Sequence, residues 1–444
     1  MNSVMANKIT WLVFSGLMAC NVAFAETEDA PDWNKQTLSG DWGGTRSGLY
    51  SKGVDLEFTH KSDMLANMSG GIKRGTAWMG HTEARIKMNL EKLWDLDSTT
   101  AYVHFHSDLG SKFNRDYVGS FVGVDNIETS ANTAQFFHAW LQKSFSDDRL
   151  SVLAGIYPID SEFYVTDTSG VFIQPPYGMA NDLAQTGQNG PPIFPIGALA
   201  VRMKYTSPGK NFYLQGALTD GVPGDPNNPY GTHIQLNKGD GTLSIVEFGY
   251  TPQEEEPPFK ANKPGEMVEP EQKVHEEHES FNKTAIGFWR YSARFGDLNP
   301  AAVDTSGNPL RHISHGIYFL AERTLLVEKD HTSQGLSGFV RFGTASRDIQ
   351  QADWTGSLGL RYHGLLSGRD DDIAGIAITV NHASNKYRLL NNADSNEMDV
   401  EATYRAQINP WLALQPTLQY IANPNMDAVL GNAWVVGARF ELAL

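Results

Sequence analysis

The sequence predicts an all-β fold. It reads as a transmembrane antiparallel β-barrel of about sixteen strands, with long extracellular loops and a short N-terminal periplasmic segment. Three observations predict it. First, the C-terminal residues alternate: Trp434, Val436, Ala438, Phe440, Leu442 and Leu444 share one face, and Val435, Gly437, Arg439, Glu441 and Ala443 share the other. An apolar face backed by a small or charged one is the pattern of a strand between lipid and a wet lumen. Second, segments of this period recur along the whole chain. Third, the connections between them alternate between short and long.

The composition agrees. With 42 glycines, 11% aromatic residues and one cysteine, the chain is glycine- and aromatic-rich and lacks a disulfide framework. Past the N-terminus there is no apolar run of the roughly 20 residues a spanning helix needs. A net charge of −16 with no basic stripe argues against a nucleic-acid partner.

The N-terminus reads as an export signal. Lys8 supplies the basic start, Ile9 to Ala19 the apolar run, and Ala23-Phe24-Ala25 the cleavage site, so residues 1–25 are expected to be removed. Leu17-Met18-Ala19-Cys20 resembles a lipoprotein site, but the later cut fits better and would remove Cys20. Residues 26–52 form the N-terminal segment, in which Gly43-Gly44 precedes an expected short helix over Thr45 to Lys52 that plugs, braces or tethers at the periplasmic mouth.

The barrel domain, 53–444, follows. Strand periodicity appears at 53–65, 76–91, 99–108, 134–145, 150–157, 196–206, 210–219, 241–252, 282–295, 312–326, 334–345, 353–366, 371–383, 397–409, 411–422 and 433–444. These lengths suit tilted strands of ~9–11 residues across a bilayer. An even number of strands puts both termini on one side. If the first strand runs outward, Glu91–Ser98, Ser146–Arg149, Ser207–Gly209, Val327–Ser333, Ser367–Asp370 and Pro410 are periplasmic turns, and all are short. The outward connections 109–133, 158–195, 220–240, 296–311 and 384–396 are longer. The segment 252–281 breaks the rule. It is acidic and proline-rich with almost no apolar content, so it is expected to be a disordered periplasmic insertion, or else the strand count is off by one. If it is dispensable, deleting 256–278 leaves folding and conductance unaltered.

Alternation also assigns faces. The inward set, and thus the candidate pore lining, is Glu83, Arg85, Lys87, Arg202, Lys204, Glu247, Arg290, Arg341, Arg361, Glu401, Arg405, Arg439 and Glu441. Arg290 lies in Ile286-Gly287-Phe288-Trp289-Arg290-Tyr291, a stretch apolar on both faces. Arginine offers a planar fork of donors, and aromatic rings stack on the apolar faces of sugar rings, so such a lumen suits polyhydroxylated solutes. The bland alternative is that these charges only hold the wall together. Trp140, Tyr205, Tyr250, Trp354, Tyr362, Trp411, Tyr420 and Trp434 are expected to form aromatic girdles at the two interfaces. Connection 158–195 carries Gln174-Pro175-Pro176 and Gly190-Pro191-Pro192, which stiffen it. It is expected to pack into the mouth and narrow the lumen, helped by 109–133.

Two stretches resemble a known family. Ser39-Gly40-Asp41-Trp42-Gly43-Gly44-Thr45-Arg46, with Leu49 and Gly53-Val54, resembles the N-terminal signature of the OprB-type carbohydrate-selective porins. Arg405-Ala406-Gln407-Ile408-Asn409-Pro410-Trp411, continuing to Pro424, and Gly437-Ala438-Arg439 resemble its C-terminal part. The resemblance implies a sixteen-stranded outer-membrane barrel that passes sugars such as glucose by passive diffusion, with long loops at the constriction. It implies as partners the lipid bilayer and lipopolysaccharide, small permeating sugars, the barrel assembly machinery, and the homotrimer common among porins. The insertion 252–281 departs from the family length, and Leu444 stands where such proteins commonly end in phenylalanine.

No cofactor or metal site is expected. His275-Glu276-Glu277-His278 lacks the i, i+4 histidine spacing of a zinc helix, and the Asp- and Asn-rich loop 220–230 lacks an ordered calcium spacing. The rival functions are a channel for small hydroxylated organic acids, an outer-membrane barrel enzyme, and a structural barrel with a plugged lumen.

Overall fold

The computed structural model describes residues 30–252, 281–329, 331 and 333–444. The export signal and most of the acidic insertion, including His275 and His278, lie outside the described residues.

Sixteen strands close into one antiparallel barrel. They are β1 (Val54–Gly71), β2 (Gly75–Asn89), β3 (Thr99–Gly110), β4 (Thr133–Phe145), β5 (Leu150–Tyr157), β6 (Ala198–Thr206), β7 (Phe212–Asp220) and β8 (Thr242–Tyr250). The second half comprises β9 (Asn282–Gly296), β10 (Arg311–Val327), β11 (Gly335–Thr344), β12 (Ala352–His363), β13 (Ile373–Ala383), β14 (Asn396–Asn409), β15 (Leu412–Ala422) and β16 (Gly431–Ala443). Every strand pairs with its sequence neighbours, and β16 returns to β1 with Arg439 opposite Asp63. Closure leaves no edge, so each ladder group is paired within the wall, as a bilayer interior demands.

The alternation decides which side chains meet lipid. On β6, Val201, Met203 and Tyr205 are exposed outward while Arg202 points inward and is 2% exposed. Leu214 and Leu218 of β7, Val246 and Phe248 of β8, and Ile286 and Phe288 of β9 continue the outer apolar band. At its rim Phe212 and Tyr250 pack tilted against each other with ring centroids 4.8 Å apart, and Tyr420 and Trp434 at 4.7 Å.

Three details differ from the sequence expectation. The first connection is short, residues 72–74, because β1 and β2 run on past the expected ends; there Ile72 N and Lys73 N donate to Tyr117 O. Trp140 belongs to no girdle: it faces inward, is 5% exposed, and packs against Tyr102 at 5.2 Å. Its strand has a bulge opposite His104 and Phe105, which shifts the alternation. Arg290 does not face the lumen. It pairs with Ser244 and His315 on the outer face, while Trp289 and Tyr291 take the inward positions. Strand β8 pairs directly with β9, Leu243 opposite Tyr291, so residues 251–281 are a connection between neighbouring strands and the count of sixteen stands.

The N-terminal segment holds a short helix, Thr45–Ser51. Gly44 precedes it at φ +93°, a left-handed conformation that suits glycine. Arg46 is 3% exposed and donates to Leu444 O at 3.1 Å and Leu56 O at 2.9 Å, so the segment is tied to the start of the first strand and the end of the last, at one mouth of the barrel.

Candidate functional site

Two long connections, 111–132 and 158–197, fold into the barrel from the end opposite the termini. A chain segment brought inside must satisfy its backbone N–H and C=O groups. Short 3-10 turns satisfy some of them. Wall side chains satisfy many of the rest, and this is the work most of the inward charges do.

The wall carboxylates accept loop N–H groups. Glu401 on β14 accepts from Ile173 N and Gln174 N, both at 2.8 Å. Glu397, one turn of the pleat away, accepts from Phe121 N at 2.8 Å and from Ser120 Oγ at 2.9 Å. Glu322 on β10 accepts from Thr168 N at 2.9 Å, and Glu247 on β8 from Tyr164 N at 2.9 Å. The tyrosines Tyr213 and Tyr318 also donate to Glu247, each at 2.7 Å.

The wall cations and amides take loop acceptors. Arg341 on β11 donates to Pro176 O at 2.5 Å and Gly178 O at 3.2 Å. Arg202 donates to Glu162 Oε2 at 2.7 Å, Ser151 Oγ and Gln142 Oε1. Arg439 bridges Asp63 on β1, at 2.6 Å, and Asn126 of the first loop, also at 2.6 Å. Lys283 reaches Val165 O at 2.9 Å, and Gln415 and Gln419 reach Val171 O and Val124 O.

Apolar packing completes the attachment. Phe163, Tyr164, Met179 and Leu183 of the long loop are buried against Leu243, Trp289 and Tyr318 of the wall. Tyr164 stacks on Tyr318 with centroids 3.9 Å apart. Phe172 and Tyr177 pack on Phe339 and Ile373. Phe113, Val118 and Ile127 of the first loop pack on Leu65, Ile421 and Val435. At Gly343 a methyl group would overlap Asp182 and the Tyr164 hydroxyl, so a bare backbone lets the loop close on β11.

Burial raises two loop carboxyls. Asp160 is pushed up to about 7 by burial, against the Phe194 N–H that it accepts. Asp182 is pushed up to about 7 by burial too, against its bond from Tyr164. Both therefore sit near neutrality as loop acids that prefer to stay protonated.

The inward residues that keep solvent exposure cluster on β1, β2 and β16 toward the end bearing the termini. Glu57, Lys61, Arg85, Lys87 and Glu441 are partly exposed there. Arg85 sits 2.5 Å from Glu83 and 3.5 Å from Glu57. Arg405 pairs with Glu441 at 2.8 Å. Tyr102, Lys204 and Lys283 are also half-buried, with Lys204 over the Tyr213 ring at 5.4 Å and Arg361 over Phe281 at 4.8 Å. Donors, acceptors and rings of both charge signs face the lumen together. Alternation placed the strand members of this set. It could not show that Arg202, Arg341, Arg439, Glu247 and Glu401 hold loops. Glu397, Glu322 and Gln215 were missed, although the same alternation puts them inward; Gln415 and Gln419 were read as inward, but not as holders of the loops.

Residues 73–444 match the family model described as carbohydrate-selective porin, OprB family. Porin B of Pseudomonas aeruginosa is 22% identical over 452 residues, covering 94% of this chain and 93% of that protein. The putative porin QuiX of Acinetobacter baylyi is 22% identical over 477 residues, covering 96% of this chain and 98% of its own length. Among solved structures, the high-pH form of Pseudomonas putida OprB superposes with a TM-score of 0.78 at 19% identity, covering 94% of this chain and 100% of that one.

Proposed function

The chain belongs to the OprB family of carbohydrate-selective porins, and from that premise we propose that its anchored loops and mixed-charge wall select single neutral sugars such as glucose. Family and fold point to an outer-membrane channel rather than an enzyme, one that carbohydrates cross by passive diffusion. The observation that carries the finer reading is the state of the inward cations. Arg202, Arg341 and Arg439 are occupied by Glu162, loop carbonyls and Asp63. Arg85 and Arg405 are matched by Glu83 and Glu441. A lining whose arginines are matched offers hydrogen bonds of both senses to hydroxyl groups. The rival channel for hydroxylated organic acids would have to draw a carboxylate to the partly exposed Lys61 and Lys204.

Single-channel conductance in planar bilayers tests this, with glucose, maltose-like oligosaccharides and a hydroxylated carboxylate added in turn. Concentration-dependent block by glucose, weaker with the oligosaccharides, is the expected result. Block by the carboxylate alone, with anion selectivity, would move the solute class to organic acids.

The domain and partner readings extend the same proposal. Residues 1–25 are a signal removed on export, which the intact mass of the mature protein checks. Residues 26–52 lie at the periplasmic mouth, and 252–281 is a periplasmic insertion of the barrel domain 53–444. Lipopolysaccharide is the outer-leaflet partner. Its support is a mainly basic outer rim: Arg290 and Arg294 are exposed on β9, and a cleft of about 440 Å³ at Arg294 is lined by Arg294, Arg311, His312, His315 and Arg347, with Asp348 as its one carboxylate among the described residues. Arginine forks suit its phosphates, and co-purified lipopolysaccharide should fall in Arg294→Ala/Arg311→Ala. Recognition by the assembly machinery rests on the outward Phe440 and Leu442 with the terminal Leu444. A homotrimer is the proposed assembly, tested by light scattering with detergent correction.

A further inference from the structure

High on the inner wall, β2 and β3 bring His81, Glu83, His104, His106 and Asp108 together. The register sets this. His81 lies directly across from Asp108, and Glu83 across from His106. His106 and Asp108 are two residues apart and so share a face. His81, His106 and Asp108 are 3%, 0% and 1% exposed. One ligand atom from each lies within 4.8 Å of the others.

The hydrogen-bond count at these rings does not close with neutral imidazoles. His81 has Asp108 Oδ1 2.6 Å from Nδ1 and Glu83 Oε1 3.0 Å from Nε2. His106 has Asp108 Oδ2 2.7 Å from Nδ1 and Pro195 O 3.1 Å from Nε2. Each ring thus faces an acceptor at both nitrogens, yet a neutral imidazole carries one N–H. His106 Nδ1 and Asp108 Oδ2 lie 2.7 Å apart without the alignment of a hydrogen bond. A cation between them resolves both facts. It takes the two Nδ1 lone pairs and the Asp108 carboxylate, and each Nε2–H is then left to donate, His81 to Glu83 and His106 to Pro195. A carboxylate or a backbone carbonyl on the far nitrogen is the arrangement that orients metal-ligating histidines.

We propose that His81, His106 and Asp108 bind one divalent transition-metal ion, Zn²⁺ foremost, as a clip between β2 and β3. Two imidazoles and a carboxylate suit Zn²⁺, Cu²⁺ or Ni²⁺, whereas Ca²⁺ and Mg²⁺ prefer oxygen ligands. Water completes the coordination. The ion also fixes the base of the long loop, because the ring that it orients holds Pro195 O, which Gln135 Nε2 bonds as well at 2.7 Å. Arg85 opposes a nearby cation, but its Nη2 is turned onto Glu83 Oε2 at 2.5 Å.

The test uses untagged full-length barrel carrying His275→Ala/His278→Ala, which removes the histidine pair of the acidic insertion. After treatment with a chelator, the protein is titrated with Zn²⁺ against a chromophoric competitor. One ion per chain is expected, with affinity lowered at least about 100-fold in His106→Ala and Asp108→Asn, and about 10–100-fold in Glu83→Gln. No uptake, or unchanged affinity in the ligand variants, would overturn the proposal and leave two doubly protonated rings as the account of the cluster. Should the ligand variants fail to fold, the Cu²⁺ electron paramagnetic resonance spectrum of the folded barrel decides. Coupling to two imidazole nitrogens supports the site, and its absence refutes it.

Discussion

Glu401 shows how a charged residue on a barrel wall can act on what lies inside it. Its carboxylate has no cation in contact and instead holds two adjacent loop amides, Ile173 N and Gln174 N. Truncation to Ala strands two buried N–H groups at about 1–3 kcal/mol each. Glu401→Ala is therefore expected to loosen the long loop while the barrel itself stays closed. The measurement is hydrogen exchange, which should quicken over 165–180 and hold steady on β14 and β15. Asp160 and Asp182 add a pH dependence to the same loop. Burial raises both to about 7, above the ordinary Asp value near 3.9. A raised carboxyl stabilises the packed loop fully below the unfolded value and loses that contribution as pH rises through the folded one. At 1.36 kcal/mol per unit the loss is on the order of 4 kcal/mol per residue by pH 8. Loop protection corrected for intrinsic exchange should thus fall between pH 5 and pH 8. Asp160→Asn/Asp182→Asn should flatten the profile; a profile equally steep in the double variant would remove these two acids as its cause.

The long loop is the element that sets the character of the lumen. It carries its own apolar side chains, Phe163, Met179 and Leu183, into the barrel and meets an inner wall made apolar to receive them at Leu243, Trp289 and Leu320. Deleting 165–190 removes most of this filling and should raise single-channel conductance in a barrel that still migrates as folded; unchanged conductance there would show that the loop does not constrict the path. The same packing explains what was legible in the sequence and what was not. Strands β14, β15 and β16 were readable because their inner faces are polar, as at Asp399, Glu401 and Thr403. Strand β9 was located at 282–295, but its faces were not readable, because the loop turns its inner face into a core. With Ala285, Trp289 and Tyr291 inward and Ile286 and Phe288 outward, polarity no longer separates the faces, and Arg290 was assigned inward although it stands outside. Trp140 was misplaced through a bulge, whose extra residue no pattern of period two can register. Alternation names a side of the wall and leaves the partner unnamed. That is why the loop anchors, and the pairing of His81 with Asp108, became visible only with the register.

At the scale of the whole molecule, the decisive contact is the one that closes the ring. Strands β1 and β16 come from opposite ends of the chain, and until they pair, each exposes an unpaired edge that a bilayer interior penalises by several kcal/mol per group. Arg439 sits at this seam with Asp63 across from it, and the same guanidinium reaches Asn126 of the inward loop. One buried group thus joins the first strand, the last strand and the lumen filling. Asp63 is 0% exposed and Arg439 4%, so neither charge has water to fall back on. Removing one partner of such a pair costs about 3–5 kcal/mol, whereas replacing both by apolar residues of similar volume is often close to neutral. Arg439→Ala, which leaves Asp63 and the buried loop residue Asp125 without their shared cation, should therefore lower the stability of the folded barrel by roughly that amount in urea titrations in lipid vesicles. Asp63→Leu/Asp125→Asn/Arg439→Met should recover most of the loss, because it also removes the second carboxylate, 3.4 Å from Arg439, and an apolar pair suits the adjoining cluster of Leu65, Ile421 and Val435. Recovered stability with altered conductance would separate the two duties of Arg439: the seam needs matched groups of any kind, and the loop needs a donor. If the triple variant were as unstable as the single one, the charge itself would be what closes the barrel.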